Sequence, residues 1–456
     1  MHKITNRATS ILLLILVLVG GMGFFLVEYA MKGDAWVAFS GSPHVYNDSK
    51  VSPAVITDRD GLILSVLSVE KSYTEDELLR KATLHWVGDR LGNISTPAVE
   101  YYSEDLVKYD FFNGVYRYGG EKRSLQLTLS AALQKAALEA MGDKVGTVAV
   151  FNYRTGEILC AVSTPTFDPN DAPDLGTDTE GSYAGVYMNR FLQAAYTPGS
   201  IFKIVTLAAA LETIPDIEDQ MFMCTGSYTV GTGNVTCESI HGHQSLKQVF
   251  ANSCNCAFAQ IVEQIGKDKL AYYVRQFGVV DAISFDGITT AEGNFDLTDA
   301  GAVSVAWSGI GQYKDLINPC GFLSFVGAVA NDGRRYQPYV VSQVTIGTQK
   351  THRAGTEFVE TVMSVSTART LQEYMQNNVK SKYGADNFPG LTVGAKSGTA
   401  EVGGDKKPNA MFAGFVSDPD CPLAFVVAVE EGGYGAKTCV PIISKVLEAW
   451  NSTGNV

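Results

Sequence analysis

The sequence predicts an α+β protein with one membrane helix, and three observations carry this prediction. Two strand candidates near residue 150 and three near the C-terminus are separated by a long, mainly helical segment. A helix candidate follows the last strand, and a charge-free apolar run extends from Ala8 to Val27. Because the early and late strands are far apart in the chain, we expect one sheet that is interrupted by a helical lobe.

Composition and charge exclude several classes of protein. The chain has 456 residues, of which 46% are apolar and 18% charged, so it is neither disordered nor collagen-like. Its net charge of −13 argues against nucleic acid as a partner, because binding to phosphates needs a basic surface. Its 8 cysteines are too few for a disulfide scaffold in a chain of this length.

The apolar run Ala8–Val27 predicts a transmembrane anchor. About 20 helical residues, each rising about 1.5 Å, span the roughly 30 Å of a membrane's hydrocarbon core. Lys3 and Arg7 precede the run, and this positive charge places the N-terminus in the cytoplasm and the rest of the chain outside. We therefore expect a single-pass protein with a cytoplasmic tail over residues 1–9 and an anchor over 10–30. A cleaved signal peptide is the alternative, although its apolar stretch is usually shorter, about 7–15 residues.

Two domains are expected after the anchor. Residues 51–145 predict a small N-terminal pedestal or dimerisation-like domain, which opens with a strand–turn–strand signal and closes with an Ala- and Leu-rich helix. Residues 146–456 predict the larger domain, in which the helical lobe divides the sheet and a final helix covers apolar surface. Its expected strands are GTVAVFNY, GEILCAVS, 391–398, 410–417 and 422–431.

Three short motifs suit acyl transfer to a serine. They are S-x-x-K at Ser200–Lys203, S-x-N at Ser253–Asn255 and K-S-G-T at Lys396–Thr399. Each is weak alone, and a second S-x-x-K at Ser68–Lys71 is interpreted as chance on a polar surface. All three in this order, each at a predicted element boundary, make a specific pattern.

The residue types in the motifs fit nucleophilic catalysis. Ser200 and Lys203 lie at i and i+3 and so share one helix face, where the amine can reach the hydroxyl. A lysine accepts a proton only when neutral, and lowering its pKa from ~10.4 to ~7 disfavours the cation by roughly 4–5 kcal/mol. Burial and a second cation such as Lys396 act in that direction. Ser253 can then relay the proton, and Asn255 can hold Lys203 or a substrate amide.

The third motif suits recognition of an anionic substrate. A cationic Lys396 with Ser397 and Thr399 can hold a carboxylate through charge-assisted hydrogen bonds. The backbone N–H groups of Ser200 and Thr399 can form an oxyanion hole. These assignments predict that three distant parts of the chain surround one cleft.

On these motifs the chain resembles the class B penicillin-binding proteins, the transpeptidases that cross-link peptidoglycan. The resemblance runs from about residue 51 to the end and is strongest after 146. It implies a penicillin-binding/β-lactamase-like fold, with a five-stranded antiparallel sheet, helices on both faces and a helical lobe. It is carried by GTVAVFNYRTGEILCAVSTPTFDPN, NRFLQAAYTPGSIFKIVTLAAALE, INPCGFLSFVGAVANDGRRYQP, GAKSGTAE and TDRDGLILS.

The resemblance also implies a reaction and its residues. The substrate is a D-Ala-D-Ala stem peptide on lipid-linked or nascent glycan, β-lactams acylate the same serine, and no cofactor or metal is expected. A separate membrane glycan polymerase is an expected partner. The implied catalytic residues are Ser200, Lys203 and Ser253, and the implied substrate-binding residues are Asn255, Lys396, Ser397, Gly398 and Thr399.

Alternative functions remain at this point. Transfer to water would make the protein a D,D-carboxypeptidase or a β-lactamase, and a non-catalytic role would make it a penicillin-binding sensor or scaffold. Two departures from the family pattern are Ser397, where Thr is commoner, and Ala395 in place of a usual Gly. Cell division, elongation and sporulation are alternative processes for such an enzyme.

The cysteines of the middle segment allow two further interpretations. Cys224 and Cys237 can form a disulfide outside the membrane. Together with His241 and His243 they can instead hold zinc, although this spacing matches no common zinc finger. Cys254, inside the S-x-N motif, is interpreted as a small packing residue.

Overall fold

The computed structural model describes most of the chain and confirms an α+β fold. The described residues are 2–37, 54–67, 71–106, 109–110, 115–116, 122–179 and 181–453. The N-terminal helix is His2–Val37, and its segment Thr5–Lys32 is long and apolar enough to cross a membrane, with a mean hydropathy of 2.8 and no burial inside the protein.

The predicted strand–turn–strand begins a sheet of six strands, which we call the pedestal sheet. Ala54–Thr57 pairs antiparallel with Ile63–Leu67 and parallel with Arg123–Leu127. The strand Val341–Ile346 then pairs with Arg123–Leu127, so the sheet reaches beyond the expected range of 51–145. The sheet order is Gln349–Arg353, Val341–Ile346, Arg123–Leu127, Ala54–Thr57, Ile63–Leu67 and Ser72–Tyr73.

The helix expected to close the pedestal packs against the C-terminal helix and also against helix Glu77–Val87. It is Ala131–Met141, and its buried residues Leu133 and Met141 share an apolar cluster with Ile443 and Val446 of the C-terminal helix. An apolar stripe on the C-terminal helix covers the apolar face of Ala131–Met141. Helices Glu77–Val87 and Ser103–Leu106 contact strands of the pedestal sheet, and the short helix Pro97–Tyr101 contacts Ser103–Leu106.

The predicted five-stranded antiparallel sheet is present and is called the central sheet. Its strands are buried on both faces, which explains their continuous apolar runs. The C-terminal helix Gly435–Ser452 covers one face and the helix Pro319–Ala330 covers the other. The strand order is Val393–Ala400, Asn409–Val416, Leu423–Val429, Gly146–Asn152 and Ile158–Thr164, within two residues of the expected positions.

The segment between the two parts of the central sheet forms the helical lobe, as predicted, with short strand pairs that the sequence analysis did not anticipate. One pair, Met221–Cys224 with Gly242–Ser245, lies before the S-x-N motif. Strands of only four residues are too short to show a recognisable alternation of apolar and polar residues, so the sequence does not reveal them. The main helices are Lys203–Thr213, Leu246–Ala251, Asn255–Ile265, Lys267–Gln276, Ala302–Ser308, Pro319–Ala330 and Val365–Asn378.

This architecture places the motifs on facing surfaces. The strand Val393–Ala400, which carries the third motif, is an edge strand of the central sheet. It packs against the turn Gly199–Phe202 at the start of the lobe. The cleft between the sheet edge and the lobe is therefore the place where the three motifs meet.

The two helices that share an apolar cluster allow a test of the fold. Ile443 is fully buried between the central sheet and helix Ala131–Met141, so we expect Ile443→Ala to lower the free energy of unfolding by about 2–5 kcal/mol. Lys445→Ala, on the exposed face of the same helix, should change it by less than about 0.5 kcal/mol. Denaturant unfolding of the detergent-solubilised chain measures both, and equal effects would contradict this packing.

Candidate active site

The first motif forms a short 3-10 turn that leads directly into a helix. Gly199–Phe202 is the turn, and Lys203 is the first residue of the α-helix Lys203–Thr213, whereas the sequence analysis expected Ser200 to open that helix. In a 3-10 turn, side chains at i and i+3 eclipse each other. The Nζ atom of Lys203 accordingly lies 3.1 Å from the Oγ atom of Ser200.

Glycines allow the turn and the edge strand to approach closely. Gly199 has a φ of +54°, and its N–H donates to the carbonyl of Gly311 at 2.9 Å. A Cβ atom at Gly398 would lie 2.8 Å from the carbonyl oxygen of Pro198 and 3.0 Å from the nitrogen of Ile201. The third motif thus presses against the backbone on both sides of Ser200.

The second motif surrounds the Lys203 amine with oxygen atoms. Lys203 Nζ lies 3.0 Å from Ser253 Oγ, 2.7 Å from the Ser253 carbonyl oxygen and 2.6 Å from Asn255 Oδ1. With Ser200 Oγ this makes four oxygens, one more than an ammonium has hydrogens. A neutral amine would instead accept the Ser200 hydroxyl hydrogen through its lone pair, so the arrangement suits a general base.

The conformation of the second motif is held by its surroundings. Ser253 has a φ of +52°, a left-handed value that is uncommon for a residue with a side chain. Asn255 begins the helix Asn255–Ile265, and its side-chain amide donates to the Thr236 carbonyl at 3.0 Å. This contact directs the Asn255 oxygen towards Lys203.

The third motif adds a second buried lysine. The Nζ atom of Lys396 lies 3.0 Å from Ser253 Oγ and 2.9 Å from the Ser397 carbonyl oxygen. The Ser253 hydroxyl therefore links the two lysines, as a proton relay requires. Lys203 and Lys396 are both essentially inaccessible to solvent.

A tyrosine that sequence reasoning missed supports the third motif. The hydroxyl of Tyr383 accepts the Ser397 backbone N–H at 2.9 Å and lies 3.0 Å from Ser397 Oγ. Tyr383 ends a π-helical turn, Val379–Tyr383, that follows the helix Val365–Asn378. No motif surrounds this tyrosine in the sequence, so only the fold identifies it.

Burial determines the electrostatics of the two lysines. Burial lowers the pKa of Lys203 from 10.5 to about 8. Burial also lowers the pKa of Lys396, and the charge of Lys203 lowers it further. The direction agrees with the expectation for a general base, and the coupling disfavours two protonated amines in the same site.

The motifs open into a cleft of about 750 Å³. Ser200 is partly exposed there, so a substrate carbonyl can reach its hydroxyl while the lysines stay dry. All predicted site residues except the buried Lys203, Lys396 and Gly398 line this cleft, together with Thr236, Cys237, Glu238, His241, Trp307 and Tyr434.

The cysteines meet in a way that neither sequence interpretation anticipated. The ligand atoms of Cys224, Cys237, His241 and Cys254 all lie within 4.8 Å of one another. Cys224 and Cys237 are free thiols, and exposed His243 is outside this group. Cys254 is fully buried, as a packing residue would be, but its Sγ atom also lies 3.8 Å from that of Cys237.

The second S-x-x-K has a structural explanation. Ser68 lies outside the described residues. Lys71 is buried, so the expected position on a polar surface was wrong. Its amine donates to the carbonyl of Gly88 at 3.0 Å and to that of Val87. The lysine therefore stabilises the end of a pedestal helix.

Comparison with known sequences identifies related proteins. The family profile described as "Penicillin binding protein transpeptidase domain" matches residues 146–448. The chain is 30% identical over 351 residues to Peptidoglycan D,D-transpeptidase PbpA of Mycolicibacterium smegmatis, covering 71% of this chain and 70% of that protein. It is also 30% identical over 328 residues to Stage V sporulation protein D of Bacillus subtilis, covering 68% of this chain and 49% of that protein.

Solved structures share the fold. A ceftriaxone acyl-enzyme complex of penicillin-binding protein A from M. tuberculosis superposes with a TM-score of 0.75 at 23% identity, covering 88% of this chain and 98% of that one. The D,D-transpeptidase domain of a peptidoglycan glycosyltransferase from Eggerthella lenta gives 0.76 at 24% identity, covering 90% and 100%. These similarities confirm the predicted fold class.

The close approach of the edge strand to the turn Gly199–Phe202 can be tested by adding one methyl group. In Gly398→Ala the new Cβ atom must displace the strand or the turn, so we expect acylation of Ser200 by labelled penicillin to slow by roughly 10- to 100-fold. Gly301→Ala is the control, because the space around Gly301 is open and its φ of −71° suits alanine. Equal acylation rates for the two variants would contradict the described contact.

Proposed function

The chain belongs to the class B penicillin-binding proteins, and on that premise we propose that it is a membrane-anchored serine D,D-transpeptidase. Its substrates are the D-Ala-D-Ala stem peptides of peptidoglycan, and its intermediate is an acyl-enzyme at Ser200 that β-lactams also form. The observation that carries the proposal is the continuous chain of contacts from Ser200 through Lys203 and Ser253 to Lys396.

Acylation uses the lysine of the first motif as the base. Ser200 Oγ attacks the carbonyl of the penultimate D-Ala while its proton passes to neutral Lys203. When the tetrahedral intermediate collapses, the C–N bond breaks and the leaving D-Ala amine takes a proton from Ser253. Lys203 then restores the proton of Ser253, which lies 3.0 Å away. The acceptor amine of a second stem peptide later attacks the ester, and its proton returns to Ser200 by the same route.

The terminal carboxylate of the substrate sets the protonation of the pair of lysines. We assign this carboxylate to Lys396, Ser397 and Thr399, where negative charge favours the protonated form of Lys396. Because two protonated amines disfavour each other, this charge leaves Lys203 more readily neutral. Substrate binding thereby prepares the general base.

The backbone around the serine supplies the proposed oxyanion hole. The N–H groups of Ser200 and Thr399 are the assigned donors to the oxygen of the tetrahedral intermediate. This assignment is supported by the tight contact of Gly398 with the backbone of Pro198 and Ile201. The contact holds the edge strand against the turn that carries the nucleophile.

Two further features complete the proposal. We place the N-terminus in the cytoplasm and the catalytic domain outside, in agreement with Lys3 and Arg7 before the charge-free run Ala8–Val27. We also propose a separate membrane glycan polymerase as partner, because cross-linking needs nascent glycan strands as donors and acceptors.

Covalent labelling tests the acyl-enzyme. Penicillin should add to the full-length chain once, and the modified peptide should contain Ser200, because its hydroxyl lies 3.1 Å from the Lys203 amine and is partly exposed in the cleft. Ser200→Ala should remain unlabelled and keep the melting temperature of the wild type. Labelling of Ser200→Ala to the wild-type level would contradict the assignment.

The lifetime of the adduct distinguishes the two enzyme classes. A long-lived adduct favours the transpeptidase, whereas rapid hydrolysis favours a β-lactamase.

The pH dependence of acylation tests the base. Because the neutral form of Lys203 is required and its pKa is lowered to about 8, the rate should rise about tenfold per pH unit at low pH and level off above about pH 8. Lys203→Met should slow acylation by roughly 10²- to 10⁴-fold, whereas Lys445→Met, at an exposed lysine, should leave the profile unchanged. A wild-type rate that is constant from about pH 6 to pH 9 would exclude Lys203 as the base.

A further inference from the structure

We propose that Cys224, Cys237, His241 and Cys254 form a zinc site that holds the S-x-N motif in place. The four residues come from three separate segments of the lobe and converge beside the catalytic cleft. Three thiolates and one imidazole are a common ligand set of structural zinc sites. The inference concerns metal binding and does not depend on the proposed reaction.

The spacing of the ligand atoms agrees with tetrahedral coordination. Zinc bonds of about 2.3 Å to sulfur and about 2.0–2.1 Å to nitrogen place two sulfurs about 3.8 Å apart and a sulfur and a nitrogen about 3.6 Å apart. In the structure, the Sγ atoms of Cys237 and Cys254 are 3.8 Å apart. The Sγ atom of Cys237 and the Nδ1 atom of His241 are 3.5 Å apart. The other ligand atoms lie within 4.8 Å of these, so shifts of about 1 Å or less complete the site.

Two of the four proposed ligands are buried inside the protein, and the other two can be reached from the cleft. Cys224 and Cys254 are fully buried, whereas Cys237 and His241 are partly exposed and line the cleft. An ion can therefore enter from the cleft side and complete its coordination inside the protein. His243 is on the exposed face of the strand Gly242–Ser245 and is not a ligand.

When zinc binds, it replaces the protons of the thiols. Each of the three thiols loses its proton when its sulfur bonds to zinc, and His241 binds through the lone pair of Nδ1 with its proton on Nε2. Three protons are thus released and no electrons are exchanged. The complete site carries a net charge of −1 and lies near the two buried lysines.

The position of Cys254 connects the metal to catalysis. Cys254 stands between Ser253 and Asn255, and it is the N-cap of the helix that Asn255 begins. A bond from zinc to its sulfur would tie this residue to the strand Met221–Cys224 and to Cys237, which adjoins the Thr236 carbonyl that Asn255 contacts. The metal would therefore stabilise the left-handed conformation of Ser253 and the orientation of the Asn255 amide.

Cobalt spectroscopy of the full-length chain tests the site directly. The detergent-solubilised protein is reduced with a phosphine, stripped with a chelator and titrated with Co²⁺. We expect one Co²⁺ per chain, with a thiolate-to-metal charge-transfer band and the intense visible bands of tetrahedral cobalt, both removed by one equivalent of Zn²⁺. Absence of these bands at micromolar protein and cobalt would overturn the proposal.

Matched variants locate the ligands. Cys254→Ser and His241→Ala should each weaken Co²⁺ binding by more than about tenfold. His243→Ala, two residues away from a proposed ligand, and Cys421→Ser, in the apolar cluster behind the central sheet, should bind as the wild type does. Equal weakening by His241→Ala and His243→Ala would overturn the ligand set. If Cys254→Ser does not fold, the Co²⁺ affinity of His241→Ala and the Co²⁺ spectrum of the wild type still test the site.

A disulfide is the competing state of the same thiols. Peptide mapping of protein isolated without reductant from zinc-supplemented cells distinguishes the two. We expect Cys237 and Cys254 as free thiols, together with one zinc per chain by elemental analysis. A bond between Cys237 and Cys254 in most molecules, with no zinc present, would overturn the proposal.

Discussion

The site depends on burying two lysine amines around one serine hydroxyl. Lowering the pKa of Lys203 from 10.5 to about 8 corresponds to a cation disfavoured by about 3 kcal/mol, which the rest of the domain must stabilise. Packing of the lobe against the central sheet supplies this free energy and excludes water from both amines. Ser253, Asn255 and the Ser397 carbonyl satisfy the hydrogen bonds of the two amines. The burial that disfavours the protonated form of Lys203 also makes its amine available as a base near physiological pH.

The fold makes this arrangement possible by bringing an edge strand to the lobe. No strand among the described residues pairs with the outer side of Val393–Ala400, which packs against the turn Gly199–Phe202. The glycines at 199 and 398 remove the side chains that would separate the two backbones. The pedestal sheet is completed by Val341–Ile346 and Gln349–Arg353, two strands from the segment that divides the central sheet, so it joins distant parts of the chain into one structure.

The sequence alone predicted the meeting of the three motifs and the central sheet for identifiable physical reasons. The reaction constrains residue type and spacing at Ser200, Ser253 and Lys396, and double-sided burial produces the apolar runs of the central strands. It did not predict the pairing of Val341–Ile346 with the pedestal, because pairing between distant strands leaves no local signal. For the same reason it missed Tyr383 and the approach of Cys254 to Cys237: both are contacts made only by the fold.

A crystal structure of the chain after reaction with penicillin is the decisive measurement. We expect an ester between the ring-opened drug and Ser200 Oγ. We also expect the drug's carboxylate within hydrogen-bonding distance of Ser397 and Thr399, and its ester carbonyl oxygen facing the backbone N–H groups of Ser200 and Thr399. An adduct on another residue, or one whose carboxylate points away from the third motif, would contradict the convergence of the three motifs on one reaction.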